Sequence, residues 1–222
     1  MNNEQNMNHL VKIILLTCLI STLVACSSRV PNTTEQSDFL THYEQLQEVK
    51  TPSGNIIKAW KAAQLETTKK QKLIFTPIEF KPLNKNNKMG DKFTTILVNY
   101  TNQQIQHELE KHFELTQHSG PEILRFEGII TSVDATPEDF KFYEALPVML
   151  VVAGTQLAVG SRDADTNIYF EWKVTNSVTH TPLYEAIRKN KGTQLINTEQ
   201  TITLEDLKEA IDTIADEVVP NA

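Results

Sequence analysis

Cysteine is almost missing from this chain: two occur among 222 residues, and both lie near the N-terminus, at Cys18 and Cys26. The sequence from position 27 to the C-terminus contains none. A domain without thiols has no disulfide, no thiolate metal ligand and no thiol nucleophile. We therefore expect the fold to depend on packing alone, and thiol catalysis and redox motifs are excluded from that part of the chain.

An excess of basic residues is also missing. Lys and Arg total 21 against 28 Asp and Glu, so the formal net charge is -7. Nucleic-acid binding requires clustered Lys and Arg that displace counterions, so the sequence predicts no nucleic-acid partner. It also contains no Gly-x-Ser-x-Gly nucleophile elbow and no phosphate-binding loop, and we expect no cofactor.

The apolar run of residues 13–25 is too short to span a bilayer as a helix of about 20 residues. It follows Lys12 and ends at Ala25 and Cys26, an order typical of a secretory signal peptide. Small residues before a cysteine that is followed by polar Ser27 resemble the lipobox of bacterial lipoproteins. This resemblance implies cleavage between Ala25 and Cys26, lipidation of Cys26 and, with Ser27 in place of Asp, sorting to the outer membrane. An uncleaved membrane anchor with an incidental cysteine is the alternative.

The remaining chain divides into two parts. Residues 26–37 are polar and without periodicity, and we interpret them as the lipidated cysteine and a flexible tether, with a root-mean-square span of about 18 Å. Residues 38–222 are expected to form one periplasmic α/β domain, because their length and composition are those of an ordinary globular domain. Residues 1–25 are the predicted signal peptide.

Apolar spacing predicts the elements of the first half of the domain. Phe39, Leu40, Tyr43 and Leu46 recur at helical spacing and predict a short amphipathic helix. Residues 73–80 predict a strand that Pro77 confines to an edge or a bulge. Residues 93–113 predict one long helix, or two helices with a break near residue 101, followed by a strand at 114–117.

The second half is predicted to contain three strands and a C-terminal helix. Residues 123–134 carry apolar side chains on both faces, which is typical of a strand inside a sheet. Residues 167–175 alternate, with Ile168, Phe170, Trp172 and Val174 on the buried face, and they pair as a hairpin with 183–188. Apolar residues recur at helical spacing over residues 204–218, and they predict a helix with one apolar face. These elements predict an α/β fold: a single domain with a mixed, mostly antiparallel sheet packed by helices and a short N-terminal helical annex.

The candidates for catalysis or metal binding are weak. His107 and His112 are five residues apart, which places them on different faces of a helix and not at the spacing of a helical zinc site. Asp163 and Asp165 lack the further ligands of a calcium loop, and we expect a solvated turn there. Glu171, on the outer face of its strand, and Glu127, on a buried strand, are possible paired carboxylates for acid–base chemistry, but nothing in the sequence brings them together. The sequence predicts no catalytic residue and no metal site.

The most apolar part of the domain is the run from Leu146 to Val159. A run of this length is more often a core helix than a membrane span, and we expect it to pack against the sheet. The alternative is an interface with a partner or a second copy, since small residues permit close helix approach. Its residues would be Leu146, Val148, Leu150, Gly154 and Ala158.

Several of these features together resemble a proteobacterial lipoprotein family known as domain of unknown function 3313. Besides the lipobox, the resemblance rests on Phe39-Leu40…Tyr43…Leu46, on Leu146-Pro147-Val148…Gly160 and on Glu171…Asn176-Ser177-Val178-Thr179-His180. Asn176 and His180 depart from the family pattern, which favours Asp and Gly at these positions. The family implies a lipid-anchored periplasmic domain and brings no established activity.

The sequence therefore favours a non-enzymatic lipoprotein on the periplasmic face of the outer membrane. We expect its partners to be the membrane, through lipidated Cys26, and envelope proteins that it binds or scaffolds. Two alternatives stay open: a self-assembling component of an envelope or secretion complex, and a cell-wall hydrolase whose site only the fold would assemble.

Overall fold

The structure of the chain is a computed structural model that describes residues 37–67, 72–83, 89–137, 164–196 and 200–220. The predictions for the signal peptide, Cys26, most of the tether and the run from Leu146 to Val159 lie outside these residues. The described residues form a single sheet covered by helices on one face.

Eight strands are described, and they form one mixed sheet. They are β1 (Gln47–Lys50), β2 (Ile56–Lys61), β3 (Lys72–Phe75), β4 (Glu79–Phe80), β5 (Glu114–Leu115), β6 (Leu124–Pro137), β7 (Ala164–Asn176) and β8 (Pro182–Leu195). Their order in the sheet is β1-β2-β8-β7-β6-β3-β5, while β4 also pairs with β6. The pairs of β1 with β2, β2 with β8, β6 with β7 and β7 with β8 are antiparallel, and β3 and β4 run parallel to β6. The mixed, mostly antiparallel sheet is confirmed.

Two α-helices are described: α1 is Asp91–His112 and α2 is Leu204–Glu217. α1 is one continuous helix without a break near Thr101, whose hydroxyl donates to the carbonyl of Leu97. α2 packs on β7 and β8 and against α1, so both helices belong to one layer. Within the described residues, neither helix combines the length and apolar composition that a membrane crossing needs.

The core lies between this layer and the sheet. Ile168, Phe170, Trp172 and Val174 of β7 are buried there, as their alternation predicts, together with the apolar stripe of α2. Each large buried apolar side chain stabilises the fold by about 1.5–3 kcal/mol relative to an exposed one. The predicted hairpin of β7 and β8 is confirmed, and His180 in its turn has a φ of 57°, in the left-handed region where glycine is favoured.

The predicted strand over residues 73–80 is divided into β3 and β4, which both pair with β6. Pro77 lies in the gap, where its missing N–H costs no ladder bond. The N–H of Ile78 instead donates to the side chain of Asn102 on α1 at 2.7 Å. A helix side chain therefore replaces the strand partner at this bulge.

The N-terminal annex differs from the predicted amphipathic helix. Residues 39–46 contain a single 3₁₀ turn at Tyr43–Gln45, and β1 follows directly. A short isolated helix is marginal in water because its nucleation is costly. The N–H groups of Thr41 and His42 bind a buried side chain of the sheet instead, so tertiary contacts decide the conformation.

Candidate functional site

The N-terminal segment Ser37–Leu46, here called the strap, lies against the sheet face opposite the helices. Glu171 and Lys173 alternate with the core residues of β7, and Glu185 lies on neighbouring β8 in register with Lys173. All three side chains contact the strap. The segment that connects the predicted tether to the domain is therefore held by charged residues of the central strands.

Glu185 is fully buried and holds the middle of the strap. Its Oε1 accepts the N–H of Thr41 at 2.8 Å, and its Oε2 accepts the N–H of His42 at 2.7 Å. The Nδ1 atom of His42 lies 3.0 Å from the same Oε2. The carboxylate therefore satisfies two backbone donors directly before the 3₁₀ turn.

Glu171 lies on the face of β7 opposite the core, as its alternation predicts, but it is fully buried there. Its Oε2 accepts the hydroxyl of Ser37 at 2.7 Å and the hydroxyl of Tyr43. Its Oε1 is buried and has no hydrogen-bond partner in the described part of the chain. Burial raises the pKa of Glu171 above its ordinary value, although the bonds from Tyr43 and Ser37 oppose the shift.

The Tyr43 hydroxyl also organises the strap itself. It accepts the backbone N–H groups of Ser37 and Phe39 at 3.2 Å and that of Leu40 at 3.3 Å, and it donates to Glu171. Burial, helped by the bond to Glu171, raises the pKa of Tyr43 to about 12. The Tyr43 side chain therefore stays neutral, and in this form its hydroxyl makes the hydrogen bonds that organise the strap.

A lysine contact and a ring stack complete the attachment of the strap to the sheet. The Lys173 ammonium donates to the carbonyl of Phe39 at 3.2 Å and lies 4.2 Å from the centroid of its ring. The ring of His42 stacks on Trp60 of β2, with centroids 3.7 Å apart. Trp60 therefore provides a surface on which the strap docks.

The arrangement provides buried acceptors for N–H and O–H groups, and the chain's own N-terminal segment fills them. Chemically it is an attachment site, since each carboxylate is occupied by donors of the strap. Sequence reasoning considered Glu171 only as an acid–base candidate and missed Glu185. The available signal was a pair of glutamates, each beside apolar residues in a strand buried on both faces.

A buried ion pair lies on the helical side of the sheet. Nε of Arg188 lies 3.1 Å from Oε2 of Glu217 at the end of α2, and both side chains are almost fully buried. Thr51 donates to the other Glu217 oxygen at 3.3 Å, and Nη1 of Arg188 donates to the carbonyl of Ile56. This pair joins α2 to β2 and β8, a structural role.

The structure does not bring the other described candidates for metal binding together. His107 and His112 are exposed on α1, and Nε2 of His112 lies 3.2 Å from Glu108. Asp165 belongs to β7 and pairs with Lys191, which corrects the predicted solvated turn; Asp163 lies outside the described residues. Over the described ranges, no three His, Cys, Asp or Glu side chains form a group that could hold a metal ion.

Comparison with known proteins places the chain in a family. The family described as "Protein of unknown function (DUF3313)" matches residues 35–218. The chain belongs to this family. It is 33% identical over 199 residues to the uncharacterized lipoprotein YdcL of Escherichia coli K12, covering 89% of this chain and 90% of that protein, and the O157:H7 protein gives the same values. The resemblance to a lipoprotein family of unknown function is confirmed.

The solved structures that are similar to this chain match it with low TM-scores. A neuraminyllactose-binding hemagglutinin homologue from Helicobacter pylori gives a TM-score of 0.38 at 8% identity, covering 67% of this chain and 78% of that one. The PelC dodecamer from Paraburkholderia phytofirmans gives 0.37 at 5% identity, covering 73% and 97%. Lipoprotein GNA1162 from Neisseria meningitidis gives 0.29 at 7%, covering 66% and 99%. Similarities at this level carry no functional argument.

Proposed function

We propose that this DUF3313 protein is a non-enzymatic, lipid-anchored lipoprotein of the outer membrane whose periplasmic domain binds or scaffolds envelope proteins. The observation that carries the proposal is the strap. The residues directly after the predicted tether are fixed to the sheet by Glu171 and Glu185, so the point of attachment belongs to the folded domain.

The position of the strap supports one orientation of the domain relative to the membrane. About 11 residues separate Cys26 from Ser37, and a flexible chain of this length spans about 18 Å. Ser37 is bound on the sheet face opposite the helices, so this face is held toward the membrane. The helical layer of α1 and α2 then faces away from the lipid and is available to partners.

The buried carboxylates support a non-enzymatic role. Acid–base catalysis in a domain without cysteine would need carboxylates with altered pKa values that also face a substrate. Glu171 and Glu185 are instead occupied by the strap, and Glu217 is occupied by Arg188 and Thr51. These groups stabilise the attachment segment and the docking of α2.

Crosslinking in cells tests the proposal with three forms of the full chain: wild type, Cys26→Ala and Ser27→Asp. Each is fractionated into inner-membrane, outer-membrane and soluble material, and crosslinked complexes are identified by mass spectrometry. We expect wild type in the outer membrane with a defined partner. Cys26→Ala should lose both the membrane and the partner, and Ser27→Asp should keep lipid attachment but move to the inner membrane.

The results separate the parts of the proposal. Membrane retention of Cys26→Ala would contradict lipid anchoring, and an unchanged position of Ser27→Asp would contradict the sorting signal. If the wild-type chain crosslinks to no envelope protein above the level of an untagged strain, the binding role is wrong.

A self-assembling component of an envelope complex is the second candidate. The apolar run from Leu146 to Val159 lies between Pro137 and Ala164, which are register partners at one end of the β6 and β7 pair. The described chain therefore ends at Pro137 and resumes at Ala164 at neighbouring positions of the sheet. Light scattering of the purified chain tests the candidate: a defined multimer that Leu150→Glu dissociates supports it, and a monomer contradicts it.

A further inference from the structure

Strand β1 forms an edge of the described sheet. It pairs with β2 on one side, and the strand order begins with it. All four of its side chains, from Gln47 to Lys50, are exposed, including the apolar Val49. An exposed edge is a template for another strand, and proteins usually protect it with charged residues.

The backbone of β1 shows which residues face outward. The N–H of Thr51 donates to the carbonyl of Asn55 across the turn between β1 and β2, at 2.8 Å. Successive residues of a strand direct their backbone groups to opposite sides. Val49 therefore bonds toward β2, as Thr51 does, whereas Glu48 and Lys50 direct their N–H and C=O groups away from it.

The two outward residues carry opposite charges. If a second copy approaches antiparallel with Val49 opposite Val49, Glu48 of each copy lies opposite Lys50 of the other, and four backbone hydrogen bonds form. A shift of two residues places Glu48 against Glu48 or Lys50 against Lys50, which is repulsive. A shift of one residue sets outward groups against inward ones and forms no ladder.

We propose that β1 is a homodimerisation edge, at which a second copy of this chain pairs in the single register that matches Glu48 with Lys50. The pairing joins two sheets into one continuous sheet. Four residues bury less surface than a standard stable interface of about 1,200–2,000 Å². The dimer therefore forms where copies are concentrated, as lipid-anchored copies on one membrane are, and that part of the inference rests on the proposed function.

Disulfide trapping tests the register, because the predicted mature domain has no thiol of its own. In the proposed dimer, the Val49 residues of the two copies form a non-hydrogen-bonded pair. Their Cα atoms lie about 4.5 Å apart, which is within disulfide range. The matched control is Glu48→Cys, whose two copies lie roughly 8 Å apart and cannot be bridged. Full-length Val49→Cys and Glu48→Cys are oxidised in cells, and membrane and soluble fractions are analysed separately on non-reducing gels.

We expect a dimer band from Val49→Cys and little from Glu48→Cys. In the Val49→Cys background, Glu48→Lys should lower the dimer yield by about fivefold or more, and adding Lys50→Glu should restore it. Equal trapping at both positions, absence of a dimer in a membrane fraction that contains the protein, or no rescue by the charge exchange would each overturn the pairing. Recovery of the wild-type chain only in the soluble fraction would instead count against the anchor.

Discussion

Glu185→Gln is the substitution that tests the strap most directly. The carboxylate accepts the N–H of Thr41 through one oxygen and the N–H of His42 through the other. Glutamine has the same shape but only one acceptor oxygen, and its amide group would place a donor against a donor. The change therefore removes the charge and at least one of the two bonds at a fully buried position.

The expected magnitude follows from these contacts. A hydrogen bond to a charged group contributes about 1.5–3 kcal/mol, and an unsatisfied buried donor costs about 1–3 kcal/mol. We expect the strap to bind the sheet about 2–3 kcal/mol less tightly, which corresponds to local opening that is roughly 30 to 160 times more frequent. Core strands and α2 do not contact Glu185 through these bonds, so their protection should change little.

Amide hydrogen exchange followed by mass spectrometry measures this effect. The peptide that contains Thr41 and His42 should exchange faster in Glu185→Gln, while the peptide that covers α2 should exchange as in wild type. Glu122→Gln, an exposed substitution in the turn before β6, is the matched control. Strap exchange within twofold of wild type would refute the reasoning, and equal acceleration in α2 would show that the strap is not a separate unit.

Three further predictions concern stability, measured by urea unfolding. The pKa of Glu171 is raised from its ordinary 4.5, so the stability that it contributes is full below that pH and decreases as the pH rises above it; Glu171→Gln should flatten this dependence above about pH 4.5, and an unchanged slope contradicts it. Arg188→Met should cost about 3–5 kcal/mol because Glu217 stays buried and unpaired, whereas adding Glu217→Met should recover most of the loss. Gly192→Ala should cost about 3 kcal/mol or more, because its methyl group would lie 2.1 Å from a backbone carbonyl of α2, while Gly90→Ala, with nothing within 4 Å, should cost little.

Much of the architecture could be predicted because apolar spacing reports burial. The alternation of Ile168, Phe170, Trp172 and Val174 gave the β7 strand, and the apolar stripe of residues 204–218 gave α2. Glu171 lies on the predicted face, but its burial was not predicted, because alternation distinguishes two faces and does not tell whether something covers the second one. The strap covers that face, from a distance of more than a hundred residues in the chain.

The candidate site shows the same limit. Phe39, Leu40, Tyr43 and Leu46 were interpreted as a helix because their spacing is helical, but spacing carries no information on distant acceptors. Glu171 and Glu185 supply such acceptors, and ten residues have too little helical stability of their own to resist them. The tertiary hydrogen bonds therefore override the local helical preference of these residues.

By itself the sequence determined the family, the α/β class, the order of most elements and the absence of thiols beyond Cys26, because these properties depend on local pattern and composition. Only the tertiary structure decided where the N-terminal segment binds, which carboxylates are buried and which strand forms the exposed edge. The physical reason is that burial, charge pairing and strand neighbours depend on contacts between residues far apart in the chain, which a local pattern does not encode.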